Sequence, residues 1–141
     1  MTKEVFIISA ARTPIGAFLG GLSTVPATTL GSIAIKGALE KGNVKAELID
    51  EVFMGNVLSA GIGQAPARQA ALEAGLGQNV PSTTVNKVCA SGMKAIMFGT
   101  QSILAGDNEI VAVGGMENMS QVPHYLDGRK GSKFGKITRW D

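Results

Sequence analysis

Four short runs rich in β-branched and aromatic residues, separated by stretches with helical spacing, constrain this chain more than any other feature. The runs are residues 4–9 (EVFIIS), 51–57 (EVFMGNV), 82–88 (STTVNKV) and 109–113 (EIVAV), and each is short and apolar enough to be a buried strand. Between the first two, Leu30, Ile33, Ala34, Ala38 and Leu39 recur at helical spacing over residues 29–40, with Thr28 or Thr29 available as a cap and Gly42 as a stop. A glycine-bearing loop, Gly61-Ile62-Gly63-Gln64-Ala65, leads into a helix over 66–74 that starts on Pro66, where the missing N–H has no intrahelical partner. An alanine, methionine and isoleucine stretch over 90–105 predicts a third helix. The resulting order, β-α-β-α-β-α-β, predicts an α/β fold with a largely parallel sheet and right-handed crossovers.

The chain has 141 residues, of which 45% are hydrophobic, so it is the size of one domain with enough apolar side chain for a packed core. Its single cysteine excludes an internal disulfide, and no charged and apolar leader opens the chain, so the expected compartment is a reducing cytoplasm. No apolar run approaches the roughly 20 residues that span a bilayer. Residues 1–119 carry 8 basic and 9 acidic groups, whereas residues 120–141 carry 5 and 2. That basic tail suits either a solvated loop or the attraction of an anionic ligand. Aromatics are only 5% of the chain, which argues against nucleic acid as a partner.

The lone cysteine stands in NKVCASGMKAIM, residues 86–97, between a predicted strand and a predicted helix. At a helix start, unpaired N–H groups and the positive end of the macrodipole favour an anion such as a thiolate. Small neighbours Ala90, Ser91 and Gly92 leave room for a substrate, and a backbone N–H at the turn can stabilise an oxyanion. Spacing alone favours a buried, inert Cys89 over a nucleophile, because free cysteine packs well as a small hydrophobe. His124, the only histidine, sits in a predicted loop and is not read as its base. Gly61-Ile62-Gly63 resembles the start of a dinucleotide fingerprint, but Pro66 replaces the third glycine and no acid follows where a ribose partner should be.

Four motifs in order carry a resemblance. VNKVCASGMKAI at 85–96 resembles the active-site cysteine stretch of thiolases, and GGMENMS at 114–120 resembles their second characteristic stretch. SAARTPIGAFLGGL at 9–22 and GNVLSAGIGQAPARQAAL at 55–72 resemble the N-terminal region of that family. The similarity is strongest to the biosynthetic, short-chain acetyl-CoA acetyltransferase branch.

This resemblance implies a thiolase-like layered α/β/α/β/α fold, with residues 1–118 forming most of the N-terminal half and 119–141 starting the loop domain. It implies that Cys89 is acylated by acetyl-CoA or acetoacetyl-CoA, that its own N–H contributes to an oxyanion hole, and that the acetyl group passes to a second acetyl-CoA or to CoA. It implies coenzyme A thioesters as substrates, no metal or redox cofactor, and a dimeric or tetrameric intact enzyme. Arg129, Lys130, Lys133 and Lys136 become candidates for attracting the CoA phosphates. Glu117 and Asn118 are expected to tie the strand end to the following loop, and Arg12 to pair with backbone or a carboxylate near the first turn. The family's later Gly-His-Pro histidine, its second cysteine in Cys-x-Gly-Gly-Gly and its Asn and His stretch find no match within 141 residues, so the chain alone is expected not to turn over. A 3-ketoacyl synthase or hydroxymethylglutaryl-CoA synthase type of condensing enzyme and a non-catalytic assembly fragment are the alternatives, and the GGMENMS stretch argues against the first.

Overall fold

In a computed structural model, which describes residues 4–126, three parallel strands are interleaved with three helices. The strands are β1 (Glu51–Gly55), β2 (Ser82–Val85) and β3 (Val111–Gly115), and the helices are α1 (Ala27–Gly42), α2 (Pro66–Glu73) and α3 (Ser91–Ala105). The sheet order is β2-β1-β3, with Val52 level with Ser82 on one side and Ala112 on the other. An α/β fold with a parallel sheet is thus what the alternating pattern produces.

The central strand explains the layering. Val52 and Met54 point to one face, where they join Ala67, Ala70 and Ala71 of α2 and Ile35 of α1 in the larger core. Phe53 points to the other face and packs with Val85, Ala95 and Phe98 under α3. The Phe53 and Phe98 rings meet at 6.2 Å between centroids and tilt by 52°, within the range in which aromatic pairs attract beyond simple burial. Val52 is fully buried and Met54 nearly so, as expected of a strand covered on both faces.

One of the four predicted strands is not formed. Residues 4–10 enter no ladder among the described residues, and Phe6, Ile7 and Ile8 are 75%, 82% and 59% exposed. Their tethers lie on α1 instead: Ser9 Oγ donates to Ala38 O at 2.6 Å, and Lys41 Nζ donates to Ala10 O at 3.2 Å. Between this segment and β3 lies an apolar slot of about 320 Å³ bordered by Phe6, Ile8, Ile96, Ile103 and Val113.

The helix ends also differ in detail from the sequence reading. Neither Thr28 nor Thr29 caps α1; the N-cap is Pro26, which makes no side-chain cap, and Thr29 Oγ1 donates to Glu73 Oε2 at 3.2 Å across to α2. Gly42 is the last helical residue, and Asn43 closes the helix in the left-handed region, where asparagine is tolerated.

Candidate active site

The site is built where α3 begins. A Cβ added to Gly55, the last residue of β1, would lie 2.5 Å from Gly92 N and 2.6 Å from Ser91 C. Gly92 in turn sits against Gly115 at the end of β3. These glycines let the first turn of α3 lie directly across the carboxyl ends of two strands, the edge where open α/β sheets carry their sites. Cys89 precedes that turn and is exposed, so the reading of the cysteine as a buried filler is excluded.

The connection from β2 to α3 is sharp. Val88 has φ 49°, a conformation that β-branched residues rarely adopt. Ser91, 4% exposed, locks the turn: its hydroxyl accepts from Lys87 N at 2.8 Å and donates to Val88 O at 2.5 Å, while Ser91 N donates to the same carbonyl at 3.0 Å. On the other side Val88 N donates to Asn86 Oδ1 at 3.1 Å. No side chain caps α3 and no acid stands in its first turn, so no side chain competes there with an anion for the positive end of the helix. Near Cys89 in sequence, Val88 and Met93 are exposed apolar surface.

The GGMENMS stretch does more than join β3 to the following loop. Glu117 accepts from Asn56 Nδ2 at 3.0 Å, from Val57 N at 2.9 Å and from Leu58 N at 3.2 Å, so its carboxylate holds the chain leaving β1. Asn118 Nδ2 donates to the carbonyls of Leu22, Ser23 and Val25, and Asn118 Oδ1 accepts from Ser120 N. Ser120 Oγ accepts from Leu19 N, another residue at positive φ. Both residues are therefore structural, but they tie the end of β3 to two loops distant in sequence. Sequence reasoning missed Asn56, which is 2% exposed, donates also to Met116 O, and leaves its Oδ1 without a partner among the described residues. Its sequence signal is an asparagine directly after an apolar strand run.

Other expectations divide. Arg12 stays exposed and forms no side-chain hydrogen bond or ion pair among the described residues, so the expected pairing with backbone or a carboxylate is not made there. It lines a cleft of about 370 Å³ with Phe18, Leu22, Asn118 and Ser120; Cys89 is not among the lining residues. His124 is exposed and makes no hydrogen bond to Cys89. The Gly61–Gly63 loop wraps the Gln69 side chain, whose Nε2 donates to Ile62 O and Gln64 O, and glycines at 61 and 63 supply φ of 77° and 84°. That accounts for them without a nucleotide. Arg129, Lys130, Lys133 and Lys136 lie outside the described residues. No described helix is long and apolar enough to cross a membrane.

Comparison with known proteins follows the same lines as the motifs. A family model for the thiolase N-terminal domain matches residues 5–141. The chain is 60% identical over 138 residues to a cytosolic acetyl-CoA acetyltransferase, ERG10, of Gibberella zeae, covering 97% of this chain and 35% of that protein. It is 60% identical over 134 residues to acetyl-CoA acetyltransferase 2 of Arabidopsis thaliana, covering 94% and 33%. It is 57% identical over 135 residues to the mitochondrial acetyl-CoA acetyltransferase of Homo sapiens, covering 96% and 31%. The chain thus spans about a third of the length of the curated relatives it matches. With a family model over nearly its whole length and an exposed cysteine at the start of α3, this chain belongs to the thiolase family, as an N-terminal domain.

Proposed function

We propose that this chain is the N-terminal part of an acetyl-CoA C-acetyltransferase, in which Cys89 is the acyl-accepting nucleophile. The observation that carries the reading is an exposed cysteine on a locked turn ahead of an uncapped helix, in a chain whose relatives are named acetyl-CoA acetyltransferases. In the first half-reaction Cys89 Sγ attacks the thioester carbonyl of acetyl-CoA. The new Sγ–C bond forms, the carbon–sulfur bond to CoA breaks, and CoA leaves as its thiol after taking the proton that Cys89 loses. N–H groups at the turn, that of Cys89 included, stabilise the oxygen that becomes negative during attack.

In the condensation that follows, the acetyl group passes to the enolate of a second acetyl-CoA, giving acetoacetyl-CoA and freeing Cys89. In the reverse direction CoA cleaves acetoacetyl-CoA. The family resemblance assigns the base for the enolate to a later cysteine that has no match among these 141 residues, so the isolated chain is expected to acylate at most and not to turn over. The chemistry calls on no metal or redox cofactor.

Residues 1–118 form an incomplete α/β half and 119–141 begin the loop domain in this reading. Arg129, Lys130, Lys133 and Lys136 give that loop the positive charge to attract CoA phosphates. The exposed apolar row Met93, Ile96, Met97 and Leu104 on α3 is surface of the kind that the rest of an intact enzyme or a second copy covers; the homo-oligomer, dimer or tetramer, rests on the family resemblance. A cytoplasmic location is supported by the relative named cytosolic, while others are named mitochondrial.

The test is mass spectrometry of the chain after incubation with acetyl-CoA or acetoacetyl-CoA. One acetyl group on the Cys89 peptide is the expected result, and its absence in both the isolated chain and a full-length thiolase carrying this segment would refute the assignment.

A further inference from the structure

We propose that Asn86 is a positioning residue for the reaction assigned to Cys89, acting through the backbone of Val88. The proposal rests on the acyl-transfer reading above, but its own test does not depend on that reading.

Val88 is the residue whose dihedral angles set the direction in which the Cys89 side chain leaves the turn. At φ 49° it is held in a region that valine avoids, so the surroundings must impose that conformation. Two side chains do so. Ser91 grips the Val88 carbonyl from the helix side, and Asn86 accepts from the Val88 N–H on the strand side.

Asn86 can act only if its own amide is oriented, and the orientation is fixed by a second bond. Its Nδ2 donates to Val57 O at 3.3 Å, which leaves Oδ1 facing Val88 N. Reversing the amide would set its oxygen against the Val57 carbonyl and its NH2 against the Val88 N–H, two repulsive contacts in place of two attractive ones. Val57 is anchored in its turn, since its N–H donates to Glu117 Oε2. A continuous chain of hydrogen bonds therefore runs from the carboxylate after β3, through the backbone after β1 and the amide of Asn86, to the residue before the nucleophile. Asn86 is itself exposed and adds nothing to either core. Its bonds have one evident consequence, the geometry of the turn.

The experiment uses the fact that Cys89 is the only cysteine of the chain. Second-order rates of alkylation by iodoacetamide are measured on the 141-residue chain for wild type, Asn86→Ala, Val88→Gly and the double variant, with thermal unfolding followed in parallel. Glycine adopts a positive φ without strain, so it removes the need for Asn86 to hold the turn. Asn86→Ala is expected to slow alkylation by about twofold to tenfold, the range for one lost hydrogen bond. In the Val88→Gly background the same change is expected to have a clearly smaller effect, a coupling that a merely stabilising role would not produce. If Asn86→Ala fails to fold, Asn86→Gln takes its place, since it keeps the polarity of an exposed position but carries the amide one methylene too far. Equal rates for wild type and the Asn86 variant, or the same factor in both backgrounds, would overturn the proposal. Failure of acetyl transfer to wild-type Cys89 would count against the acyl-transfer reading and leave the alkylation cycle intact.

Discussion

Gly55→Ala is the substitution on which the geometry of the site depends most directly. Its new methyl would lie 2.5 Å from Gly92 N and 2.6 Å from Ser91 C, and contact becomes ordinary only from 3.4 Å, so about 0.9 Å of movement is needed. The obstructing atoms are backbone, and no side-chain rotation relieves them. Overpacking of this kind costs about 1–3 kcal/mol. Replacing glycine also restricts the unfolded chain, which offsets about 0.4–1 kcal/mol. The midpoints of those ranges leave a net loss of about 1.3 kcal/mol. At roughly 2.1 cal/mol/K per residue, a chain of this size has an unfolding entropy of about 0.3 kcal/mol/K, so the midpoint should fall by about 4 °C. Two controls make the test specific. Gly21→Ala meets nothing within 4 Å and needs no positive φ, and should raise the midpoint slightly. Gly92→Ala faces the same crossing from the other side, but its nearest atom is Gly115 Cα at 3.6 Å, so it should be tolerated. Thermal unfolding followed by circular dichroism on the three variants decides the matter. If Gly55→Ala unfolds with Gly21→Ala, α3 is not seated on β1 as described.

Further expectations are independent of that contact. The Asp50 carboxylate accepts from Ile110 N and Glu109 N, bonds that hold its pKa below the ordinary carboxylate value. Its contribution to stability is therefore complete above that ordinary value, about 3.9, and is lost as pH falls through the lower folded value. Urea midpoints measured from pH 6 down to 2 should drop less steeply for Asp50→Asn than for wild type; identical slopes would contradict the assignment. Glu117→Ala deprives Asn56 Nδ2, Val57 N and Leu58 N of their acceptor and should cost about 1–3 kcal/mol in urea unfolding. Cys89→Ser should retain wild-type unfolding, since the side chain is exposed, while losing the acetyl adduct from acetyl-CoA; an adduct of equal yield in the serine variant would place the acceptor elsewhere.

Much of the architecture could be read from the chain because it rests on local periodicity. The runs at 51–57, 82–88 and 109–113 became strands, and the three helical stretches became helices within a few residues of their expected ends. Residues 4–9 have the same composition as those strands yet pair with nothing described, because pairing is decided by what lies alongside and not by the run itself. Capping was misjudged for a related reason, since Thr29 finds Glu73 on α2 before it serves its own helix. At the candidate site, the cysteine at a helix start was legible, whereas its geometry was not. Nothing in a valine announces a positive φ, and nothing in ENMS announces a carboxylate bonded to amides 59 and 60 positions earlier.

The asparagine at 118 has a kinetic consequence. Its three carbonyl acceptors lie 93 to 96 positions earlier, so the loop it fastens stays unfastened until nearly all of the described chain has been ordered. Contacts of such separation form late, after the loop-closure entropy between them has been overcome. By the same reasoning they loosen before the strands do, because the loop at 19–25 has few other long-range bonds. Amide exchange should therefore run faster at Leu19–Val25 than in β1, and the cleft beside Arg12 should open without unfolding of the sheet.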